Sequence, residues 1–137
     1  TMLGEKLGED TGKVTGTRFL PGPDGKHVKM EVSFQATGKL LGTDVTDMGT
    51  YVVYERVPGV LYGEGQGFIG TKDGEGIIWN GFGVGQMTGQ GMGVKWRAAI
   101  TYQTNSKKFA RLNTVIGMVE HETDAQGNVK DAYWEWK

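Results

Sequence analysis

Two side chains in this sequence are of types that move protons, and both sit among apolar or glycine neighbours. They are Glu64, in Gly63-Glu64-Gly65-Gln66-Gly67, and His121, in Val119-Glu120-His121-Glu122. A carboxyl group in an apolar setting has its pKa raised by desolvation, so it can hold a proton near neutrality, release it, or anchor a ligand's polar group. An imidazole nearby can act as base or orient the carboxyl. Glu64 and His121 are therefore the candidate catalytic residues. Each also has a structural reading, Glu64 as a wet carboxylate at a barrel mouth or a partner of Tyr51, His121 as a structural or solvent-facing group. No metal site is expected: His27 and His121 are the only histidines, cysteine is absent, and Asp124-Ala125-Gln126-Gly127-Asn128 is too short and ligand-poor for a calcium loop. The same lack of cysteine excludes a disulfide framework and thiol catalysis. No cofactor is expected. The glycine patterns Gly63–Gly67 and Gly81-Phe82-Gly83-Val84-Gly85 superficially match nucleotide-binding loops, but those join a strand to a helix N-terminus, and both stretches here read as strand.

The elements that position these residues follow from glycine and alternation. Glycine makes up 24 of 137 residues, against about 7% in ordinary proteins. At that density it penalises helix by about 1 kcal/mol per glycine. Period-two alternation recurs instead. Val94, Trp96, Ala98, Ile100 and Tyr102 share one face of a run; Val28, Met30, Val32, Phe34 and Ala36 share one face of another. Further runs are 12–20, 46–57, 60–71, 75–88, 112–123 and 129–136. Turn chemistry separates them, with Pro21-Gly22-Pro23-Asp24-Gly25 after the first run. Pro58-Gly59, Asp73-Gly74 and Gly89-Gln90 read as two-residue hairpin loops, and 125–128 closes the last hairpin. The segment 104–110 has room for a short helical turn. The fold class is all-β, a single antiparallel meander barrel of about eight strands, which removes both sheet edges. A half-open sheet or a two-sheet sandwich is the alternative. The whole chain, 1–137, is one domain, with residues 1–11 expected to be disordered or loosely attached.

Those loops set a register. It puts Trp79 opposite Phe68, Gly81 opposite Gln66, Gly83 opposite Glu64 and Gly85 opposite Tyr62. The next hairpin sets Trp96 across Gly83 and Ile100 across Trp79. Backwards over Pro58-Gly59, Val53 faces Glu64 and Tyr51 faces Gln66. The last hairpin pairs His121 with Ala132, Val119 with Trp134 and Gly117 with Trp136. The expected inner face holds Tyr51, Val53, Tyr62, Phe68, Ile77, Trp79, Trp96, Ile100, Tyr102, Val119, Trp134 and Trp136. Its polar members are Glu64, Gln66, His121 and Asn113. A one-residue slip would turn a strand's side chains to the opposite face.

Formal charge is −1 with both signs interspersed, and no basic run tracks a phosphate backbone, so no nucleic-acid partner is expected. No apolar stretch reaches the ~20 residues of a membrane helix, and the opening residues lack the order of a secretion signal. No membrane partner and a cytoplasmic location are the corresponding expectations.

Several stretches together carry a resemblance. Gly63–Gly67, Asp73-Gly74-Glu75, Trp79-Asn80-Gly81-Phe82-Gly83-Val84-Gly85, Trp96-Arg97, Phe109-Ala110-Arg111-Leu112-Asn113, 124–128 and Trp134-Glu135-Trp136-Lys137 resemble those of small uncharacterised bacterial and archaeal proteins. That group is similar to calycin-like barrels of the allene oxide cyclase type. The resemblance spans the last half of the chain and rests on glycines and turns. It implies a barrel whose characterised relatives, plant and bacterial cyclases, shape a reactive apolar substrate in a cavity and are commonly oligomeric. No catalytic residue carries over by position.

The leading functional expectation is a barrel binding a small, largely apolar molecule in its interior. Its ligand-binding candidates are Tyr51, Glu64, Gln66, Phe68, Trp79, Trp96 and Tyr102. The first alternative is a cyclase or isomerase in which Glu64 or His121 moves a proton. The second is a non-catalytic structural or assembly module, with Phe82, Val84, Ile69 and Ile78 as an outward subunit contact. A homo-oligomer, dimer or trimer, is compatible with any of them.

Overall fold

A computed structural model describes residues 3–137, and the alternating runs become eight strands. They are β1 (Leu3–Leu20), β2 (Lys29–Leu40), β3 (Thr43–Val57), β4 (Val60–Gly70), β5 (Gly76–Met87), β6 (Val94–Gln103), β7 (Ile116–Thr123) and β8 (Asn128–Trp136). Each pairs antiparallel with its sequence neighbours, and β1 pairs with β8 over Leu3–Lys13, so the meander closes into a barrel. Residues 3–11, expected to be loose, are the first half of β1 and pair with β8. The same expectation for residues 1 and 2 falls outside the described residues. The β2–β3 hairpin turns on Leu41 and Gly42, both with positive φ (49° and 78°), the backbone of a two-residue turn whose twist matches the strands.

A short 3-10 turn, Ala110–Thr114, lies in the β6–β7 connection, just beyond the segment expected to hold one. Phe109, just before it, and Leu112 on it are fully buried and close one end of the barrel. The core has two parts. The larger includes Leu7, Phe34, Leu40, Ile69, Ile77, Trp79, Phe109 and Tyr133. The smaller is Val53, Leu61, Val94 and Trp96, and Tyr51 packs against both.

The inner face differs from the expected one on two strands. Between β3 and β4 the Pro58-Gly59 turn forms as expected, with Val57 opposite Val60, but the register shifts at Arg56, so Tyr51 faces Gly65 and Val53 faces Gly63. Between β4 and β5 the loop has three residues, not two: Thr71 N–H bonds the Glu75 carbonyl and Gly74 takes a positive φ of 87°. Both changes turn β4 over. Gly63, Gly65 and Gly67 point inward, while Tyr62, Glu64, Gln66 and Phe68 point outward. The β7–β8 loop has the same three-residue form, with Asp124 N–H bonded to the Asn128 carbonyl. That sets His121 opposite Asp131 and Val119 opposite Tyr133. Trp134 and Trp136, expected inside, therefore lie on the outer side. Between β5 and β6 the register differs by two, which preserves the face: Trp79 pairs with Tyr102, Gly81 with Ile100, Gly83 with Ala98 and Gly85 with Trp96.

Candidate functional site

The site is laid out along one cross-strand row. Asp10 on β1 pairs with Asp131 on β8, Asp131 with His121 on β7, and His121 with Trp96 on β6. Directly opposed residues project to the same face of a sheet with Cβ atoms about 5 Å apart, so four strands place these four side chains side by side inside the barrel. Asp47 on β3, two positions from Tyr51's neighbour Gly49, and Tyr133 on β8 join them from adjacent rows.

The side chains form a buried hydrogen-bond network. Tyr51 Oη lies 3.1 Å from His121 Nε2, and His121 Nδ1 bonds Asp131 Oδ1. The Tyr133 hydroxyl donates to Asp10 Oδ2 and also reaches Asp47 Oδ2 at 3.1 Å. Trp79 Nε1–H donates to Asp47 Oδ1 at 2.8 Å. Asp10, Asp47 and Asp131 are each only 3% exposed. Three ionised carboxylates cannot share such a space without large cost. Burial, then the hydrogen bond and charge of Asp131, push Asp10 up to about 9. Burial pushes Asp47 and Asp131 up to about 7, with the Asp10 charge adding to it at Asp47. Asp10 therefore holds a proton at neutral pH. Its hydrogen bond with Asp131 carries that proton, and Asp10 Oδ1 and Asp131 Oδ2 are both buried with no other partner among the described residues.

His121 responds in the opposite sense. Burial holds it down to about 4, against the pull of Asp10 and Asp47, so the ring is neutral. With Asp131 accepting at Nδ1, the proton of the neutral ring sits on Nδ1, and Nε2 accepts from the Tyr51 hydroxyl. Burial raises the Tyr51 pKa as well, which keeps that hydroxyl protonated. One oxygen from each of the three carboxylates falls within 4.8 Å of the others, a spacing that would also admit a cation. The donors from Trp79, Tyr133 and His121 favour the shared proton.

This network borders a cavity of about 80 Å³ between the two parts of the core. That is several times the 10–15 Å³ that one water requires. Phe34, Tyr51, Trp79, Trp96 and His121 line one side. The Phe34 and Trp79 rings stack with centroids 6.3 Å apart, and Tyr51 meets Trp96 and His121 edge-on at 5.7 and 5.5 Å. The opposite side is backbone, where Gly63 pairs with Gly83 and Gly65 with Gly81. The aromatics need that absence of side chains. A Cβ on Gly63 would lie 2.9 Å from the Trp96 ring, one on Gly65 2.6 Å from Tyr51 Cβ, and one on Gly67 2.4 Å from the Trp79 ring.

Of the residues singled out in the sequence, Tyr51, Trp79, Trp96 and His121 come together at the cavity, and Glu64 also borders it, as part of the β4 wall, although its side chain is exposed. Tyr102 is inward and buried, but outside its lining. Glu64, Gln66 and Phe68 lie on the outer face, turned there by the shift at Arg56 and the longer β4–β5 loop. The Glu64 carboxylate accepts from the Tyr62 hydroxyl at 2.5 Å, and the Gln66 amide donates to the Thr50 carbonyl. Phe68 covers Gly76 from outside. Asn113 is exposed and bonds Thr104 rather than entering the barrel. Phe82, Val84 and Ile78 are outward and exposed as expected, whereas Ile69 is buried in the core. Asp10, Asp47, Asp131 and Tyr133 were missed. A signal for Asp47 existed, since it alternates in phase with Val45, Tyr51 and Val53.

No family model matches the chain, and no curated protein does. Solved structures are similar in fold. A protein with unknown function from Clostridium acetobutylicum superposes with a TM-score of 0.80 at 14% identity, covering 97% of this chain and 98% of its own. A beta-barrel like protein from Acinetobacter baumannii gives 0.79 at 13% identity, covering 97% and 94%. A conserved protein of unknown function from Rhodopseudomonas palustris gives 0.76 at 13%, covering 98% and 99%. At these identities the likeness is one of fold.

Proposed function

We propose that the barrel binds a small, largely apolar molecule in this cavity, with Tyr51 as its polar contact. One observation carries the reading: aromatic side chains and glycine backbone border a half-open apolar space, and the residues of a buried Tyr51–His121–Asp131 chain lie in its wall. An apolar pocket with a few convergent polar groups is the ordinary form of a small-molecule site. A screen of small aromatic and short-chain aliphatic compounds by thermal shift tests it, because a ligand bound only by the folded state stabilises it by about 2.7 kcal/mol at a hundredfold excess over Kd. Hits should weaken when Gly63→Val fills the wall beside Trp96. A panel without hits, confirmed by unchanged indole resonances in NMR, rejects the proposal.

The Tyr51–His121–Asp131 chain also favours a second reading, proton-transfer catalysis of the cyclase or isomerase type that the allene oxide cyclase resemblance implies. A neutral imidazole oriented by a carboxylate is a competent acid–base group. The Glu64 carboxylate, exposed and bonded to the Tyr62 hydroxyl, is not joined to this chain. Exchange of a carbon-bound proton of a bound ketone in heavy water, lost in His121→Asn with binding retained, is the expected result. Equal exchange in the variant removes His121 from any such step.

A further inference from the structure

The end of the barrel opposite the plug of Phe109 and Leu112 carries an apolar rim. The β1–β2, β3–β4, β5–β6 and β7–β8 turns all lie there, because an antiparallel meander returns to the same end at every second turn. Contacts between neighbouring turns make the rim continuous. His27 Nε2 lies 3.9 Å from Glu55 Oε1, and Met87 N–H donates to the Gly59 carbonyl at 3.2 Å. A Cβ on Gly91 would stand 3.1 Å from Ala125 Cβ, and Val14 N–H donates to the Gly127 carbonyl at 2.8 Å. On or beside these turns Phe19, Val28, Val57, Val60, Met87 and Met92 are exposed. Phe19 shows how this arises. It belongs to the inward row Phe19–Met30–Val53, whose Val53 is buried, yet it is itself 70% exposed. Strand β8 pairs with β1 only as far as Lys13, so beyond that point β1 runs on beside β2 alone.

The charges at this end are one-sided in what they leave free. Its carboxylates are turned back onto the protein. Asp24 accepts from the Lys26 and His27 backbone N–H groups and bonds the His27 ring. Glu55 accepts from Gly59 N–H, and Asp124 from Gln126 and Asn128 N–H. Arg18 holds Glu31 at 3.1 Å, and Glu122 stands between Lys95 and Lys130 in one cross-strand row. Lys26, Lys29 and Arg56, by contrast, form no ion pair among the described residues. Exposed apolar tips flanked by free cations suit a bilayer interface with anionic headgroups. A second copy of this end, packed about a two-fold axis, would set like charge against like.

From these two observations we propose that the rim docks the barrel on an anionic phospholipid bilayer. Phe19 and Met92 enter the acyl boundary, and Lys26, Lys29 and Arg56 meet the headgroup phosphates. No helix of the described residues is long and apolar enough to cross a membrane, and docking by loop tips needs none. The proposal goes beyond small-molecule binding and stands without it, since none of these rim residues lines the cavity.

Flotation of the intact protein with vesicles tests this. Vesicles of phosphatidylcholine with about one-third phosphatidylserine are expected to bind it about a hundredfold more tightly than phosphatidylcholine alone, since each of the three cations contributes about fivefold near an anionic surface. The preference should fall as salt is raised. Phe19→Ser combined with Met92→Ser is expected to weaken binding about tenfold or more. Both positions are exposed, so the pair should melt as the wild type does. Lys26→Glu combined with Lys29→Glu is expected to remove most of the phosphatidylserine preference. Phe82→Ser, on the exposed outer wall, should bind unchanged. No binding to the anionic vesicles, or equal binding to both kinds, overturns the proposal. A loss in Phe82→Ser equal to that of the rim pair also overturns it, by moving the contact to the wall. Dimerisation without vesicles, abolished by Phe19→Ser, gives the rim to a second copy and is the third refuting result.

Discussion

Titrating the fold between pH 7 and 9 isolates the proton held by Asp10. Its carboxyl stands at about 9 in the folded protein, against about 3.9 in an unfolded chain. The folded state therefore holds a proton that the unfolded state has released, so stability is fully present at low pH and is lost as pH rises through about 9. Each such proton contributes a slope of up to about 1.4 kcal/mol per pH unit. Integrated from pH 7 to 9, Asp10 alone destabilises the barrel by about 2 kcal/mol, or about 5–10 °C in Tm for a chain of this size. Asp47 and Asp131, at about 7, release most of their share below this window. His121, held down to about 4, acts oppositely, gaining stability as pH rises between about 4 and its unfolded value near 6.5. Neither obscures the interval above pH 7. Urea unfolding followed by tryptophan fluorescence at half-unit pH steps gives the profile. Asp10→Asn keeps an N–H for Asp131 and a carbonyl for Tyr133 but cannot titrate, and it should remove most of the decline. His27→Gln is the control for the exposed His27–Asp24 pair. Stability that is level from pH 7 to 9, or an undiminished decline in Asp10→Asn, refutes the shared proton.

Three other substitutions probe the architecture. Gly67→Ala places a methyl 2.4 Å from both the Trp79 ring and the Met48 carbonyl, and should cost about 1–3 kcal/mol by overpacking, measured by urea midpoint; a neutral result contradicts the close packing of Trp79. Leu112→Ala, at the fully buried plug, should cost about 2–5 kcal/mol, and a loss under 1 kcal/mol would show the plug detached from the core. Glu64→Gln, on the outer face, should change stability by less than about 0.5 kcal/mol and leave unaltered the affinity of any compound found in the thermal-shift screen; a tenfold affinity loss would put the Glu64 carboxyl inside.

Hairpin order, closure and the inward faces of β3, β5, β6 and β7 were legible because alternation there follows large side chains such as Tyr51, Trp79, Trp96 and Val119. Strands β4 and β8 read the wrong way round. In β4, pattern favours Tyr62, Glu64, Gln66 and Phe68 as the inner set because glycine carries no hydrophobic signal. Space decides otherwise, since the rings of Trp79, Tyr51 and Trp96 already occupy what those side chains would need. A single shift at Arg56 and one extra loop residue after Thr71 produce the inversion, and neither leaves a mark that composition reveals. For β8, Trp134 and Trp136 outweigh Asp131 and Tyr133 in hydrophobicity, so the acidic side looked like the wet one. Asp10 was hidden by its place in a segment expected to be loose.

The seam between β1 and β8 also has a kinetic meaning. Asp10 and Tyr133 bond across 123 positions of chain, and the Asp10–Asp131 pair exists only once the first and last strands meet. Contacts of such separation are the slowest to form in a meander. Dehydration of the carboxyl cluster is then the last act of assembly and the first to be reversed. Alkaline pH should consequently quicken unfolding and leave the refolding rate nearly constant, the signature of a region absent from the transition state. Stopped-flow measurements at pH 7 and 9 distinguish this from a barrel that joins its ends early, in which refolding itself would slow. On this view the buried acids act as a latch, whose proton sets how long the closed ring lasts rather than how fast it forms.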